Sequence, residues 1–167
     1  MKKVAIIGHF GGTENMLDGQ TIKTKVLYEE LKNSTDWKII KVDTYYKNKN
    51  PFKLFFDTVI CLLRTKDVIV LLSENGMKFY FPLLYFCTKF FGTRVYHDVI
   101  GGNLSLHVAK HPQFIKYLNS FQVNWVETGS MKRELSDQGI HNCAVMPNFK
   151  RLKITNEINR DFDEPYC

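Results

Sequence analysis

Three polar loops hold the residues whose types and spacing suit chemistry. The first runs Gly8-His9-Phe10-Gly11-Gly12-Thr13 and leads to Asp18-Gly19-Gln20-Thr21. A glycine pair permits a turn with its N–H groups exposed, and such a loop ahead of a helix N-terminus suits a phosphate or another oxyanion. The spacing matches neither G-x-G-x-x-G nor G-x-x-x-x-G-K-[ST], so the ordinary dinucleotide and P-loop readings fall away. Asp18 reads equally well as a helix cap. Lys23 and Lys25 add positive charge near the loop, although solvated helix lysines are the commoner arrangement. The second loop, Ser73-Glu74-Asn75-Gly76, offers hydrogen bonds to sugar hydroxyls, against the simpler reading of a turn that caps a helix. The third, His97-Asp98-Val99-Ile100-Gly101-Gly102-Asn103, sets an imidazole beside a carboxylate at a strand end, then a second glycine pair and an amide. There His97 would donate to a substrate hydroxyl or carbonyl, with Asp98 holding its tautomer or shifting its proton affinity. A strand-end histidine serves structure as often as chemistry.

Other chemistries find weaker support. His107 and His111 are four apart, but the chain between them leads into Pro112 and brings no third ligand, so no metal site is expected. Ser130 lies in Thr-Gly-Ser-Met rather than in a G-x-S-x-G elbow, which disfavours serine hydrolysis. Cys61, Cys87, Cys143 and Cys167 are far apart and form no C-x-x-C pair, which argues against a disulfide scaffold and a zinc finger.

These loops need a scaffold that brings them to one edge. Short β-rich runs alternate with helix-period segments, the pattern of an α/β domain in which helices flank both faces of a parallel sheet. Strands are expected at Lys3 to Gly8, Trp37 to Asp43, Asp67 to Ser73, Arg94 to Tyr96, Asn124 to Glu127 and Cys143 to Met146. Helices are expected from about Gly19 to Lys32, Pro51 to Arg64, Met77 to Phe91, from near Pro112, and Met131 to Gln138. In the second of these, Asn50 caps, Pro51 fits the first turn, and Phe52, Phe55, Phe56, Val59, Ile60 and Leu63 follow the spacing of a core-facing stripe. In such sheets ligands bind outside the carboxyl ends of the strands, where the three loops would converge. After Pro147-Asn148-Phe149 the composition turns polar, so 1–149 reads as one domain and 150–167 as a linker or tail.

The chain's 167 residues are 44% hydrophobic and 24% charged, enough apolar material for one core and too much for wholesale disorder. The first apolar run is shorter than a signal-peptide core, so a cytoplasmic location is expected. Asn33-Ser34-Thr35 and Asn103-Leu104-Ser105 fit the glycosylation pattern, but a cytoplasmic chain would not meet that machinery. Met77 to Phe91 has eleven apolar or aromatic residues in fifteen, yet it is short of the roughly 20 a membrane span needs and is interrupted by Lys78, Pro82 and Lys89. It reads as a buried helix whose aromatic face could still meet lipid head groups. The net charge of +6 favours an anionic partner: nucleic acid, phosphate groups and an anionic membrane all fit.

Taken in order, four short motifs resemble the amino-terminal domain of retaining GT-B glycosyltransferases. They are the glycine-pair loop after the first strand, Asp18-Gly19-Gln20-Thr21-Ile22-Lys23-Thr24-Lys25, Tyr96-His97-Asp98 with Gly101-Gly102-Asn103, and Val145-Met146-Pro147-Asn148-Phe149. The resemblance covers nearly the whole chain and implies a three-layer Rossmann-like domain of about six or seven mainly parallel strands. It implies an acceptor-holding half that works with a second, donor-binding domain outside these residues, in a longer chain or a partner chain. The nucleotide-sugar would be a substrate, with no cofactor and no metal. Gly11 and Gly12 would approach the donor diphosphate or acceptor, and His97 the reacting sugar. The other expected binding residues are Asp18, Gln20, Thr21, Lys23, Asn75, Asp98, Gly101, Gly102 and Asn103, with Pro147 and Asn148 as the hinge. Expected partners are a glycan or lipid-linked acceptor and an anionic membrane surface, not nucleic acid. Transfer by this half alone is not expected, because the groups that stabilise the departing phosphate lie elsewhere. Two other classes compete. A flavodoxin-like or response-regulator module fits the αβ alternation but lacks an acidic cluster after the first strand. A nicotinamide-dependent oxidoreductase domain lacks the glycine fingerprint, although Asp43 ends the second strand where a ribose-binding acid would sit.

Overall fold

The apolar runs pair as the alternation predicts. In the computed structural model, which describes residues 1–14 and 16–148, β1 (Lys3–Gly8), β2 (Lys38–Asp43), β3 (Asp67–Leu71), β4 (Arg94–Asp98), β5 (Val123–Val126) and β6 (Cys143–Val145) form one parallel sheet in the order β2-β1-β3-β4-β5-β6. Between them stand α1 (Gly19–Ser34), a 3-10 turn (Thr44–Asn48), α2 (Pro51–Arg64), α3 (Glu74–Phe91), α4 (Leu104–Lys110), α5 (Gln113–Leu118) and α6 (Gly129–Asp137). This is a three-layer Rossmann-like α/β fold. The chain steps outward from β1 to β2 and then returns across β1 to β3, so the direction of winding reverses between β1 and β3. Right-handed crossovers therefore send α1 to one face and the later helices to the other.

The two faces are covered unequally. Ala5, Ile7, Val68, Val70 and Val95 point into a large core built with α2 to α6, whereas Val4, Ile6, Ile69 and Leu71 meet α1 through Leu27, Tyr28 and Leu31. Every residue of β3 is buried, as expected of a strand enclosed on both sides. Beyond α1, Tyr96 and Trp125 stack with centroids 5.8 Å apart and stay half-buried on the thinly covered face. Cys61, Cys87 and Cys143 are buried free thiols.

The expected bounds of β1 and α2 are met to the residue, and α2 carries Asn50 Oδ1 accepting from the Lys53 N–H at 3.0 Å. Its orientation is the reverse of the expected one. The stripe read as core faces outward, with Phe52 78%, Phe56 60% and Leu63 68% exposed. The helix instead buries Thr58, Cys61 and Leu62, and the Thr58 hydroxyl meets Tyr80 Oη of α3 at 3.1 Å. The cause lies in the opposite arc, where Leu54, Thr58, Cys61 and Thr65 pack flush against the sheet. Thr58 and Thr65 satisfy their hydroxyls on the carbonyls of Leu54 and Cys61, so polar residues occupy core positions without an unpaired group. Helix α3 is also only half enclosed: Met77, Tyr80, Phe81, Leu84 and Cys87 are buried, while Phe79, Phe86, Phe90 and Phe91 are exposed. It contains Pro82 and ends at Gly92, whose φ of 64° suits glycine. No helix among the described residues is long and apolar enough to cross a membrane.

Helix α4 follows the third polar loop where no helix was expected, and β4 runs two residues past its expected end at Tyr96. The linker or tail read at 150–167 lies outside the described residues, as does Phe149.

The inverted seating of α2 is testable by stability. Leu62→Ala should cost about 2–4 kcal/mol, while Phe56→Ser should stay within about 0.5 kcal/mol of the parent. Denaturant unfolding of the two variants measures both, and equal losses would contradict the observed orientation.

Candidate functional site

The carboxyl ends of the strands bear the polar loops, and the reversal of winding opens a crevice there. One concavity of about 400 Å³ is lined by Gly19, Gln20, Ile22 and Lys23 of α1, by Ile100 and Gly101 after β4, by Glu127 after β5 and by Asn148 after β6. Of the expected binding and hinge residues it therefore unites Gln20, Lys23, Gly101 and Asn148. Gly101 takes φ 71°, a turn that leaves its backbone at the rim without a side chain. Gln20 is steadied by its Nε2 donating to the Leu71 carbonyl at 3.2 Å. Pro147 is exposed beside Asn148.

Lys23 sits in the floor. Its Nζ donates to the Val99 carbonyl at 3.0 Å and to Glu127 Oε1 at 3.3 Å, and lies 2.7 Å from Asp98 Oδ1 as an ion pair off the line of a hydrogen bond. The Asp98 side chain is 1% exposed and its Oδ2 has no hydrogen-bond partner. Burial pushes the Asp98 carboxyl above its usual range; Lys23 opposes the shift and Glu127 adds to it. One cation thus faces two carboxylates, which bears on the donor-phosphate side of the donor-or-acceptor expectation for Lys23. Its charge is already committed, and Glu127 would repel an incoming phosphate. Asp98 likewise belongs under the floor rather than in contact with ligand.

His97 also departs from expectation. Because β4 continues through Asp98, the two residues obey strand alternation and point to opposite faces of the sheet. His97 is fully buried, edge-on to Phe81 at 5.2 Å, and its Nδ1 lies 3.2 Å from Asn124 Oδ1. Asn124 spends its amide protons on Asn142 Oδ1 and the Leu118 carbonyl, so Nδ1 of His97 carries the proton and Nε2 is left without a partner. Burial pulls the imidazole down to about 4, with the Asn124 hydrogen bond opposing the shift and the Lys23 charge adding to it. His97 is a neutral structural group that does not line the mouth, and Asn124, not Asp98, holds its tautomer.

The first glycine loop turns inward as well. The N–H groups of Phe10 and Gly12 donate to the two Asp43 carboxylate oxygens at 2.8 and 2.9 Å, and the Tyr45 N–H adds a third bond at 3.0 Å. A Cβ at Gly12 would lie 2.5 Å from the Tyr45 ring, which explains the glycine there. The Gly12 amide expected to meet a phosphate is therefore filled by a carboxylate from within, and Gly11 is buried. Asp43 is correspondingly unavailable to a ribose. Asp18 caps α1, accepting from the Thr21 N–H at 3.0 Å and the Thr21 hydroxyl at 2.5 Å. Burial disfavours its charge, but the Thr21 bonds and nearby His9 outweigh that and hold the carboxyl below its ordinary value. Thr21 is fully buried and serves the helix terminus, where Asp18 stands exposed as its cap.

The remaining expected residues disperse. Gly102 lines a small depression with Leu104 and Met131, and exposed Asn103 precedes α4 without a capping bond. Asn75 stands in the first turn of α3, on the lip of a separate apolar cavity of about 220 Å³ lined by Leu54, Phe55, Leu72, Phe79 and Tyr80. Two residues outside the expected site set stand directly after strands at this edge of the sheet. Glu127 lines the mouth directly, and His9, one residue past β1, has Nδ1 2.7 Å from Thr21 Oγ1. Their common signal is position, a polar side chain directly after an apolar strand.

Comparison of the sequence with protein-family models and with curated proteins returns no match.

Two measurements probe this electrostatic arrangement. Lys23→Met should cost about 3–5 kcal/mol by stranding Asp98, and Lys23→Met with Asp98→Asn should recover much of it. The Asp98 carboxyl is already raised when folded, so the penalty in Lys23→Met should shrink in acid and grow as pH rises through the folded value. For His97 the folded value is depressed, so its contribution is full above about 6.5, the unfolded value, and fades as pH falls toward about 4. Unfolding midpoints across that window should fall less steeply in His97→Phe than in the parent, and parallel slopes would sink the assignment.

Proposed function

We propose that this chain is the acceptor-binding half of a glycosyltransferase of the retaining GT-B kind. It would work with a nucleotide-sugar donor held mainly by a second domain or partner chain, and pass the sugar to a glycan or lipid-linked acceptor in bacterial surface polysaccharide synthesis. Its place would be the cytoplasmic side of the cell membrane. The observation that carries the acceptor-side assignment is the Lys23–Asp98–Glu127 cluster: the mouth contains an ammonium already claimed by two carboxylates. Such a floor repels a diphosphate and suits a neutral polyol, whose hydroxyls both donate to Glu127 and accept from the Gln20 amide or from N–H groups at the rim. Departure of the donor phosphate needs positive charge that this mouth does not offer, so the chemistry requires the other half.

The strand order favours a second reading. Its first five positions follow the order of flavodoxin-like folds, whose ligand sits at the reversal between β1 and β3. Against a phosphate-bearing ligand in that place stands Asp43, whose carboxylate occupies the loop amides of Phe10 and Gly12.

Amide NMR titration separates the two. Neutral saccharides should shift Gly101 and Glu127 while nucleotide diphosphates leave them in place, and the 167-residue chain alone should show no steady sugar transfer. Shifts with nucleotides and none with saccharides, or turnover without a partner, would overturn the acceptor-half reading.

A further inference from the structure

The outer faces of α2 and α3 expose large apolar side chains, and nothing in the mouth chemistry accounts for them. On α2, Phe52, Phe56 and Leu63 recur at one-turn and two-turn spacing, and on α3 so do Phe79, Phe86 and Phe90. All six are exposed, Phe52 to 78% and Phe90 to 71%. The helices are neighbours, joined by the contact between Thr58 and Tyr80, and Phe55 and Phe79 line the same apolar cavity. The stripes therefore form one surface, with that cavity opening at its end nearest the strand termini.

The charge around this surface is predominantly positive. Lys47 and Lys78 stand toward the N-terminal ends of the two helices, and Arg64, Lys66 and Lys89 toward their C-terminal ends. The carboxylates on these helices, Asp57 and Glu74, are each held by a lysine one turn away, Lys53 at 2.6 Å and Lys78 at 3.2 Å. Aromatic and aliphatic groups ringed by cations are the composition of a helix lying in the plane of an anionic bilayer, its apolar side at the boundary between head groups and acyl chains. Helices of 14 and 18 residues are about 21 and 27 Å long. They are long enough to rest on a membrane side by side, and neither is apolar enough to span one.

We infer that the α2–α3 face is a membrane-docking surface for anionic phospholipid. A second copy of the chain fits it less well, because a two-fold contact would bring the same cationic rim against itself. The inference goes beyond the sugar-transfer reading and stands on the two helices alone. It is read without any sugar, so the failure of one leaves the other intact.

Co-sedimentation of the 167-residue chain with vesicles of phosphatidylglycerol and phosphatidylcholine tests it. Binding should rise with the phosphatidylglycerol fraction and fall with salt. Phe52→Ser, Phe56→Ser and Phe90→Ser together should lower partitioning at least tenfold with the unfolding midpoint unchanged, because these side chains lie outside the core. Lys47→Gln, Lys66→Gln and Lys89→Gln should each lower it about fivefold on phosphatidylglycerol while leaving pure phosphatidylcholine unaffected. Equal binding to both lipids, or full binding by the triple phenylalanine variant, would overturn the inference. So would a failure to bind vesicles accompanied by a concentration-dependent dimer that the same phenylalanine substitutions dissolve.

Discussion

A single ammonium group ties together the parts of this domain that most need tying. Among the described residues helix α1 alone covers its face of the sheet, and its Lys23 reaches the carboxyl ends of β4 and β5 at the same time, through Asp98, the Val99 carbonyl and Glu127. A carboxylate as enclosed as Asp98 costs several kcal/mol to bury and persists only because a cation is fixed beside it. The pair therefore sets how α1 leans across the sheet, and with it where Gln20 and the N-terminal turn of the helix stand relative to Gly101. The shape of the mouth and its electrostatic character share one origin. The residue that closes the fold on this side also leaves the mouth with an ammonium already met by two carboxylates.

Much of the architecture was legible in the residues, for reasons that also explain where legibility ended. Lys3–Gly8 and Pro51–Arg64 announce themselves by a short apolar run rich in β-branched residues in the one and by Asn50, Pro51 and strong periodicity in the other. Periodicity shows that a helix has an apolar side but not which side meets the sheet. In α2 the arc of Leu54, Thr58, Cys61 and Thr65 wins because small and threonine side chains pack closely and satisfy themselves on the helix's own carbonyls. At His97 a two-residue difference in where β4 ends reverses the direction of a side chain, so an imidazole read as facing ligand faces Phe81 instead.

The glycine loops follow the same logic. Their turns are where composition puts them, but the use of their amides depends on a distant partner. Asp43 belongs to another strand, and only the pairing of β1 with β2 brings its carboxylate to Phe10 and Gly12. Glu127 was invisible for the converse reason, since a lone acid after a strand acquires meaning only when a lysine from α1 arrives beside it. Local sequence specifies turns and termini well. Charge neutralisation across elements is a property of the assembled sheet.

Pro82 bears on how far α3 can enter its surroundings. Proline offers no N–H to the carbonyl one turn earlier, that of Lys78, and so removes that carbonyl's regular helical partner midway along a helix rich in phenylalanine. Water or a phospholipid glycerol can solvate such a carbonyl, whereas hydrocarbon cannot. The imino acid thereby sets a limit on any burial of this helix: a surrounding without hydrogen-bond donors would leave that carbonyl unsolvated.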